Sequence, residues 1–256
     1  MRRLPARPSR SAAGPQAGFS LLELAVVVAV LGVLAVSALS AFDNLGQARQ
    51  HTAARAHAEA ARQALHAFAL RNKRLPCPDG SATGDYGREA AGGTCAAGAN
   101  VGWLPYESLG LATPVRGERL RYGVHRGTGA DLVAPPRASA DQPDLEGSGG
   151  FAAALARAAT AAPSTTQPHY RMGGSPDCSA TATGSVVNPA FVLVAPVSAR
   201  DGDSAGGFDG SANRAFATGS GTCVTPPDYP GEARYDDVVV AESAASLLGW
   251  LTAATR

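Results

Sequence analysis

The sequence predicts an α+β protein in which a long N-terminal helix packs on a small antiparallel β-sheet domain with long, disulfide-bearing loops. Three observations favour this fold class. Residues 19–42 are almost continuously apolar, with one ionisable group, Glu23, and no proline. An alanine-rich amphipathic stretch follows directly. Beyond it, short strand-like runs are separated by long glycine-rich segments, which is typical of α+β domains.

The N-terminal part of the sequence predicts three consecutive segments, namely a leader, a membrane anchor and a stalk. Residues 1–18 form a basic leader with four arginines and no acid. Residues 19–42 are long enough to be a transmembrane helix, because a helix needs roughly 20 apolar residues to cross a bilayer. The arginines predict that the leader stays in the cytoplasm and that the rest of the chain is exported. Residues 43–75 then continue the helix as an amphipathic stalk.

The stalk has one apolar face and one polar face. Helical spacing places Ala61, Leu65 and Phe68 together, so these residues are expected to pack on the domain. The histidines of the stalk are expected on a solvated or inter-subunit face; they are His51, His57 and His66. Two prolines in the segment 75–80 remove backbone donors, so the helix is expected to stop there.

Residues 76–256 are predicted to form the globular α+β domain, in the periplasm. Strands are expected at residues 120–124, 190–197 and 236–241, and a helix at residues 151–162. Pro196 marks a strand end or an edge strand. Ser243 is a suitable N-cap for a final helix that carries Leu247 and Leu251 on one face. The aromatic residues Trp103, Tyr106 and Trp250 are expected in the core or at the domain edge rather than in a ligand site.

Four cysteines follow the apolar segment, and their even number in an exported domain favours disulfides. They are Cys77, Cys95, Cys178 and Cys223. Three pairings are possible, and the short loops that it closes favour the pairing of Cys77 with Cys95 and of Cys178 with Cys223. Zinc is the competing interpretation, but structural zinc sites commonly use C-x-x-C pairs and the sequence has none.

A glycine-rich loop holds the candidate cation ligands. Asp201, Asp203 and Asp209 offer the oxygen atoms that calcium prefers, although the pattern lacks the terminal glutamate of an EF-hand loop. A solvated turn is the alternative interpretation. Asp236 and Asp237 are adjacent, and because neighbouring strand residues point to opposite faces we do not expect them to act as a pair. We expect them instead to end a loop. No other cofactor is predicted.

The start of the apolar segment resembles the N-terminus of type IV pilins and of type II secretion pseudopilins. The matching residues read G-F-S-L-L-E-L, from Gly18 to Leu24, after a basic leader. The L-P-C-P-D after the helix, the G-W-L-P-Y-E-S-L-G-L segment and the late Y-D-D-V-V are also similar to longer, disulfide-bearing minor pilin-like proteins. The chain departs from many major pilins at Ser40, where those proteins have a proline.

The resemblance implies a processing step and a set of partners. A prepilin peptidase and methyltransferase would cleave between Gly18 and Phe19 and methylate Phe19. Other pilin or pseudopilin subunits and an inner-membrane assembly platform would be further partners, with membrane lipid around the helix before assembly. Glu23 would then pair with the ammonium group of a neighbouring Phe19, because an unpaired charge inside a membrane is costly.

Two functions from different classes fit these observations. The first is a non-enzymatic minor subunit of a type IV pilus or type II secretion pseudopilus, located first in the inner membrane and then in the filament. The alternative is an exported enzyme or ligand-binding protein behind an ordinary signal peptide or anchor, with small residues before Ala41 as a cleavage site. The sequence contains no P-loop motif, and the mildly acidic exported part does not indicate nucleic-acid binding.

Overall fold

The structure, a computed structural model, describes residues 20–89, 95–96, 98–134, 149–173, 178, 184–198, 207–217, 219–231 and 235–255, with the backbone alone over 37–45. The chain divides into two compact units, residues 1–47 and residues 48–256. The first helix, α1, runs from Leu21 to Asn72 and contributes to both units.

The second unit has α+β architecture. Its strands are β1 (Val101–Trp103), β2 (Arg121–Val124), β3 (Arg126–Gly127), β4 (Ala130–Asp131), β5 (Tyr170–Met172), β6 (Ser185–Val187), β7 (Phe191–Ala195) and β8 (Val238–Glu242). Its further helices are α2 (Tyr106–Leu109), α3 (Phe151–Thr160), α4 (Ser211–Ala215) and α5 (Ala244–Ala254).

The main sheet is antiparallel throughout, which confirms the predicted sheet type. Its strand order is β1-β2-β7-β8, and the central register pairs Tyr122 with Leu193 and Leu193 with Val240. Two short antiparallel pairs, β3–β4 and β5–β6, lie outside this sheet.

Strand β7 explains why its sequence is a continuous apolar run. Alternate side chains of a strand point to opposite faces. Phe191 and Leu193 enter one core, which contains buried residues of α1, α3 and α5, whereas Val192 and Val194 enter a second core with Trp103 and Phe208. Both faces of the sheet are therefore covered, and Pro196 follows directly where the strand ends.

Residues 48–72 of α1 pack on the sheet with the predicted face. Ala58, Ala61, Leu65 and Phe68 are buried in the first core. The helix ends at Asn72, before the proline segment, because Lys73 adopts a left-handed conformation with φ 51°. The side chain of Asn72 donates to the Phe68 carbonyl at 3.0 Å, and in this way the last turn of the helix is closed.

Other elements lie close to their predicted bounds. Helix α3 starts at the predicted residue and ends at Thr160, two residues before the predicted end. Ser243 caps α5 by accepting a hydrogen bond from the Ser246 amide at 3.0 Å. Strand β8 begins two residues later than predicted, at Val238. This shift matters for function, because it leaves Asp236 and Asp237 in irregular backbone before the strand.

The cysteines form two disulfides, Cys77–Cys95 and Cys178–Cys223, which is the pairing that the sequence favoured. The first disulfide closes a loop directly after α1. The second joins Cys178, in the segment after β5, to Cys223, which also forms an isolated β-bridge with His169. Because all four sulfurs are in disulfides, none remains as a thiolate ligand for zinc.

Candidate functional site

The start of α1 is a capping box built from Ser20 and Glu23. The backbone N–H of Ser20 donates to Glu23 Oε2 at 3.1 Å, and the backbone N–H of Glu23 donates to Ser20 Oγ at 3.1 Å. This reciprocal pair satisfies two of the helix N-terminal donors that otherwise have no partner. A carboxylate in the first turn is also favoured by the helix dipole.

The capping box gives Glu23 a partner within its own helix. The sequence analysis predicts a different partner, the ammonium group of a neighbouring Phe19. The S-x-x-E pattern before an apolar run was the available signal. Gly18 and Phe19 lie outside the described residues, so the predicted cleavage position stays a prediction.

A collar of large aliphatic side chains follows the capping box. Residues 21–36 are all exposed, and Leu21 and Leu22 are 88% and 75% exposed. The collar also contains Leu24, Val26, Val27, Val28, Val30, Leu31, Val33, Leu34 and Val36, each about half exposed or more. Exposed apolar surface of this extent on a soluble monomer is unusual and marks a surface for lipid or for other proteins.

Comparison with known families matches the Prokaryotic N-terminal methylation motif to residues 14–39. The match covers the glycine, the capping box and the apolar collar. The chain carries the signature of type IV pilins and pseudopilins. No curated protein and no solved structure matches the chain.

The methylation motif at the N-terminal end supports a secreted protein of the type IV pilin-like or pseudopilin-like kind. It implies processing by a prepilin peptidase and assembly with other subunits. Within the part of the chain that the structure describes, no helix has the length and hydropathy of a membrane span.

A polar cluster fixes the stalk to the last strand of the sheet. Arg62 Nη1 lies 3.1 Å and His66 Nε2 lies 3.4 Å from Glu242 Oε2, and Arg62 also bonds Glu59 at 2.7 Å. Burial disfavours the charge on Glu242, but contacts with His66, Ser246 and Arg62 outweigh it and lower the pKa of Glu242 to about 2. A buried carboxylate with these partners holds α1 against β8.

The histidines of the stalk do not share one solvated face, which corrects the prediction for two of them. His66 is buried between Glu242 and Trp250, with 4.5 Å between the ring centroids of His66 and Trp250. His57 is half-buried and stacks on Tyr106 at 5.8 Å, and burial lowers its pKa. His51 is exposed, as predicted. The partner of His66 is Glu242, a buried acid 176 positions later in the sequence, and no local sequence pattern predicts such a contact.

The aromatic residues considered for a ligand site have structural partners. The Arg121 guanidinium lies 3.7 Å from the centre of the Trp103 ring, and burial lowers the pKa of Arg121 to about 10. The hydroxyl of Tyr106 accepts a hydrogen bond from the Leu120 amide at 3.0 Å. These contacts occupy the polar and π surfaces through which aromatic residues bind ligands.

The loop after α1 is held by a forked ion pair. Arg74 donates through Nη1 and Nη2 to the two oxygens of Glu89, each at 2.7 Å. Glu89 also accepts from the Cys77 amide at 3.0 Å, beside the first disulfide. This arrangement fixes the point where the chain leaves the helix and enters the domain, because a bidentate pair restricts both distance and angle.

Three buried aspartates come together at one end of β8. A carboxylate oxygen from each of Asp209, Asp236 and Asp237 lies within 4.8 Å of the others. Burial raises the pKa of Asp237 to about 8; the charges of Asp209 and Asp236 act in the same direction, against hydrogen bonds from Asn213 and the Asp209 amide. Oxygen-only groups at this spacing suit a hard cation.

The sequence identified one member of this aspartate cluster and missed two. Asp209 was a candidate, whereas Asp201 and Asp203 lie outside the described residues. Asp236 and Asp237 were assigned to a strand and expected on opposite faces. The two residues do end a loop, as the sequence also indicated, because β8 begins after them. The expectation that they do not pair is wrong, because the irregular backbone brings both carboxylates to the same place.

Proposed function

We propose that the chain is a minor, non-enzymatic structural subunit of a type IV pilus or a type II secretion pseudopilus. The observation that carries the proposal is the methylation motif at residues 14–39, continuous with a helix whose aliphatic collar is exposed. A prepilin peptidase would cleave between Gly18 and Phe19 and methylate Phe19. The size of the exported unit, residues 48–256, supports an accessory rather than a major role.

The exposed collar supports two successive locations for the helix, first the membrane and then the filament. Burial of apolar surface contributes about 25 cal/mol per Å², so large side chains of this kind are stabilised by lipid or by neighbouring helices rather than by water. Before assembly, residues 19–42 would lie in the inner membrane, with the leader in the cytoplasm and the domain in the periplasm. Ala25, Ala29 and Ala35 would then allow helices of other subunits to approach closely when the assembly platform inserts the subunit.

Glu23 would change partner during assembly. In the single chain its carboxylate bonds the Ser20 amide. Cleavage would create an ammonium group on Phe19, which a neighbouring Glu23 in the filament can bind. A subunit displaced along the axis would leave its carboxylate unpaired, at about 2.5–3.5 kcal/mol in a membrane-like interior. The pair would therefore set the axial register.

The processing step is tested by mass spectrometry of the mature N-terminus in cells that contain the prepilin peptidase. We expect methylated Phe19 as the first residue, and we expect Gly18→Leu to block cleavage and to leave the full-length chain in the membrane. A mature N-terminus near Ala41 would instead support the alternative, an exported protein behind an ordinary signal peptide.

The register role of Glu23 is tested by comparing Glu23→Ala with Ser20→Ala. Both substitutions destroy the capping box, but only the first removes the carboxylate. We expect Glu23→Ala to be cleaved normally and to be lost from sheared filaments, whereas Ser20→Ala still assembles. Equal incorporation of the two variants would show that Glu23 acts only as a helix cap.

A further inference from the structure

The aspartate cluster places three carboxylates in the interior of the second unit. Asp209 is fully buried, and Asp236 and Asp237 are 7% and 6% exposed. The three come from two chain segments about 27 residues apart, one directly before α4 and one directly before β8. Carboxylates are rarely buried without a cation or hydrogen bonds, because removing their charge from water is costly.

Hydrogen bonds account for several of the carboxylate oxygens. Asp236 accepts from the backbone N–H and the hydroxyl of Ser198, at 3.2 and 2.6 Å. Asp209 Oδ2 accepts from the Asp236 amide at 3.1 Å. Asp237 Oδ2 accepts from the Asp209 amide and from Asn213 Nδ2, both at 2.9 Å. These bonds fix the orientation of all three side chains.

One buried oxygen has no such partner. Asp237 Oδ1 is inaccessible to solvent and accepts no hydrogen bond, although the Oδ2 atom of the same carboxylate has two donors. A buried acceptor without a donor costs about 1–3 kcal/mol, so it is rare in native proteins unless another group binds it. Asp237 is one of the three clustered aspartates, so its Oδ1 atom is available to bind a ligand shared with the other two.

We propose that Asp209, Asp236 and Asp237 bind a calcium ion. Calcium takes six to eight oxygen ligands in irregular geometry and accepts several carboxylates, whereas magnesium demands an octahedron and is usually held by only one or two. Nitrogen and sulfur ligands, which would favour a transition metal, are absent from the group. The remaining ligands would be water or backbone oxygens.

The bound ion would join three parts of the fold. Asp209 precedes α4, Asp236 and Asp237 precede β8, and Asp236 is bonded to Ser198 after β7. An ion that contacts both carboxylate segments restrains the loops at this end of the sheet. Since the ion binds only the folded form, its concentration sets part of the stability of the exported domain.

The site is tested on the processed full chain in detergent, with calcium chloride added after dialysis against EDTA. We expect calcium at about one hundred times its Kd to raise the Tm by about 5–10 °C. The same concentration of magnesium is expected to have less effect. Terbium supplies a second readout, because the Tyr235 ring lies close enough to the cluster to sensitise terbium luminescence. Asn213 Nδ2 donates both to the Tyr235 hydroxyl, at 3.1 Å, and to Asp237 Oδ2, at 2.9 Å.

Matched variants assign the response to the aspartate cluster. Asp237→Asn removes the ligand oxygen and a buried charge, so the variant is expected to fold and to lose both the calcium shift and the terbium signal. Asp228→Asn, at an exposed aspartate of a neighbouring loop, is expected to keep both. Asp209→Asn serves if Asp237→Asn does not fold.

Three results would overturn the proposal. The first is that the wild type shows no terbium luminescence, or that calcium does not displace the terbium. The second is that calcium raises the Tm of Asp237→Asn as much as that of the wild type. The third is that calcium and magnesium raise the Tm of the wild type equally.

Discussion

The apolar residues of helix α1 are exposed in its N-terminal part, whereas many of those in its C-terminal part are buried. In residues 21–36 most side chains are large aliphatic groups, and every residue of this stretch is exposed. In residues 48–72 the polar residues are more frequent and the buried positions are taken mainly by small side chains, such as Ala58, Ala61 and Ala69, together with Leu65 and Phe68. The more hydrophobic stretch, residues 21–36, is thus the one whose side chains remain exposed in the single chain.

Hydrophobicity along this helix therefore does not measure burial within the monomer. The stalk face is adjusted to its own sheet, where alanines allow close approach and the buried Glu242 adds a polar anchor. The collar has the composition of a segment that meets lipid or other helices. One helix therefore contains a segment for folding and a segment for assembly, and each can be altered separately.

The largest expected effect comes from one substitution made in both stretches. Leu65→Ala removes a fully buried side chain and is expected to lower the free energy of unfolding of the domain by 2–5 kcal/mol. Leu31→Ala, at a residue that is 59% exposed, is expected to change it by less than about 0.5 kcal/mol. Urea unfolding in detergent, followed by tryptophan fluorescence, measures both.

Leu65→Ala and Leu31→Ala should differ in stability because residues 48–72 pack in the domain core, whereas residues 21–36 do not. Leu31→Ala is expected to reduce incorporation into filaments although the domain keeps its stability. If Leu31→Ala destabilised the domain as much as Leu65→Ala, the collar would be part of the domain core and the distinction would be wrong.

The second prediction concerns the polar anchor of the stalk. Folding lowers the pKa of Glu242 from 4.5 to about 2. Its ionisation therefore stabilises the fold above about pH 4.5, and this contribution, on the order of 3 kcal/mol, is lost as the pH falls towards 2. We expect the stability difference between the wild type and Glu242→Gln to decrease over this interval in urea titrations.

Glu59→Gln is the control for this titration. Glu59 also pairs with Arg62, but its side chain is 38% exposed, so the pair contributes less than about 1 kcal/mol. The stability of Glu59→Gln should follow that of the wild type at all pH values. A difference for Glu242→Gln that stays constant from pH 5 to pH 2 would contradict the proposed ionisation.

Much of the fold was predictable because local signals carried it. The prolines after the stalk, the apolar run of β7 and the Ser243 cap each act within a few residues, and the structure has the corresponding elements. The helical spacing of Leu65 and Phe68 predicted their burial correctly, and the short loops favoured the observed disulfide pairing. The pilin signature is also local, since it occupies residues 14–39.

The parts that were missed depend on long-range packing. His66 is buried because Glu242 lies beside it, and the aspartate cluster joins two segments about 27 residues apart. The convergence of Asp236 and Asp237 was missed because a strand boundary two residues away decides whether adjacent side chains diverge or converge. Sequence patterns locate such boundaries poorly, since hydrogen bonds from distant strands determine them.

The smallest expected effect is at the first turn of α1. Ser20→Ala removes the acceptor of the Glu23 amide and is expected to cost about 1 kcal/mol locally, which is roughly a fivefold loss of protection from hydrogen exchange at the Leu24 amide. Thr52→Ala is the control, because the Thr52 hydroxyl bonds the Ala48 carbonyl within the same helix and contributes nothing to its start. Equal exchange at Leu24 in both variants would mean that the capping box does not stabilise the end of the helix, and that Glu23 is free to leave Ser20 at no cost when a neighbouring ammonium is offered.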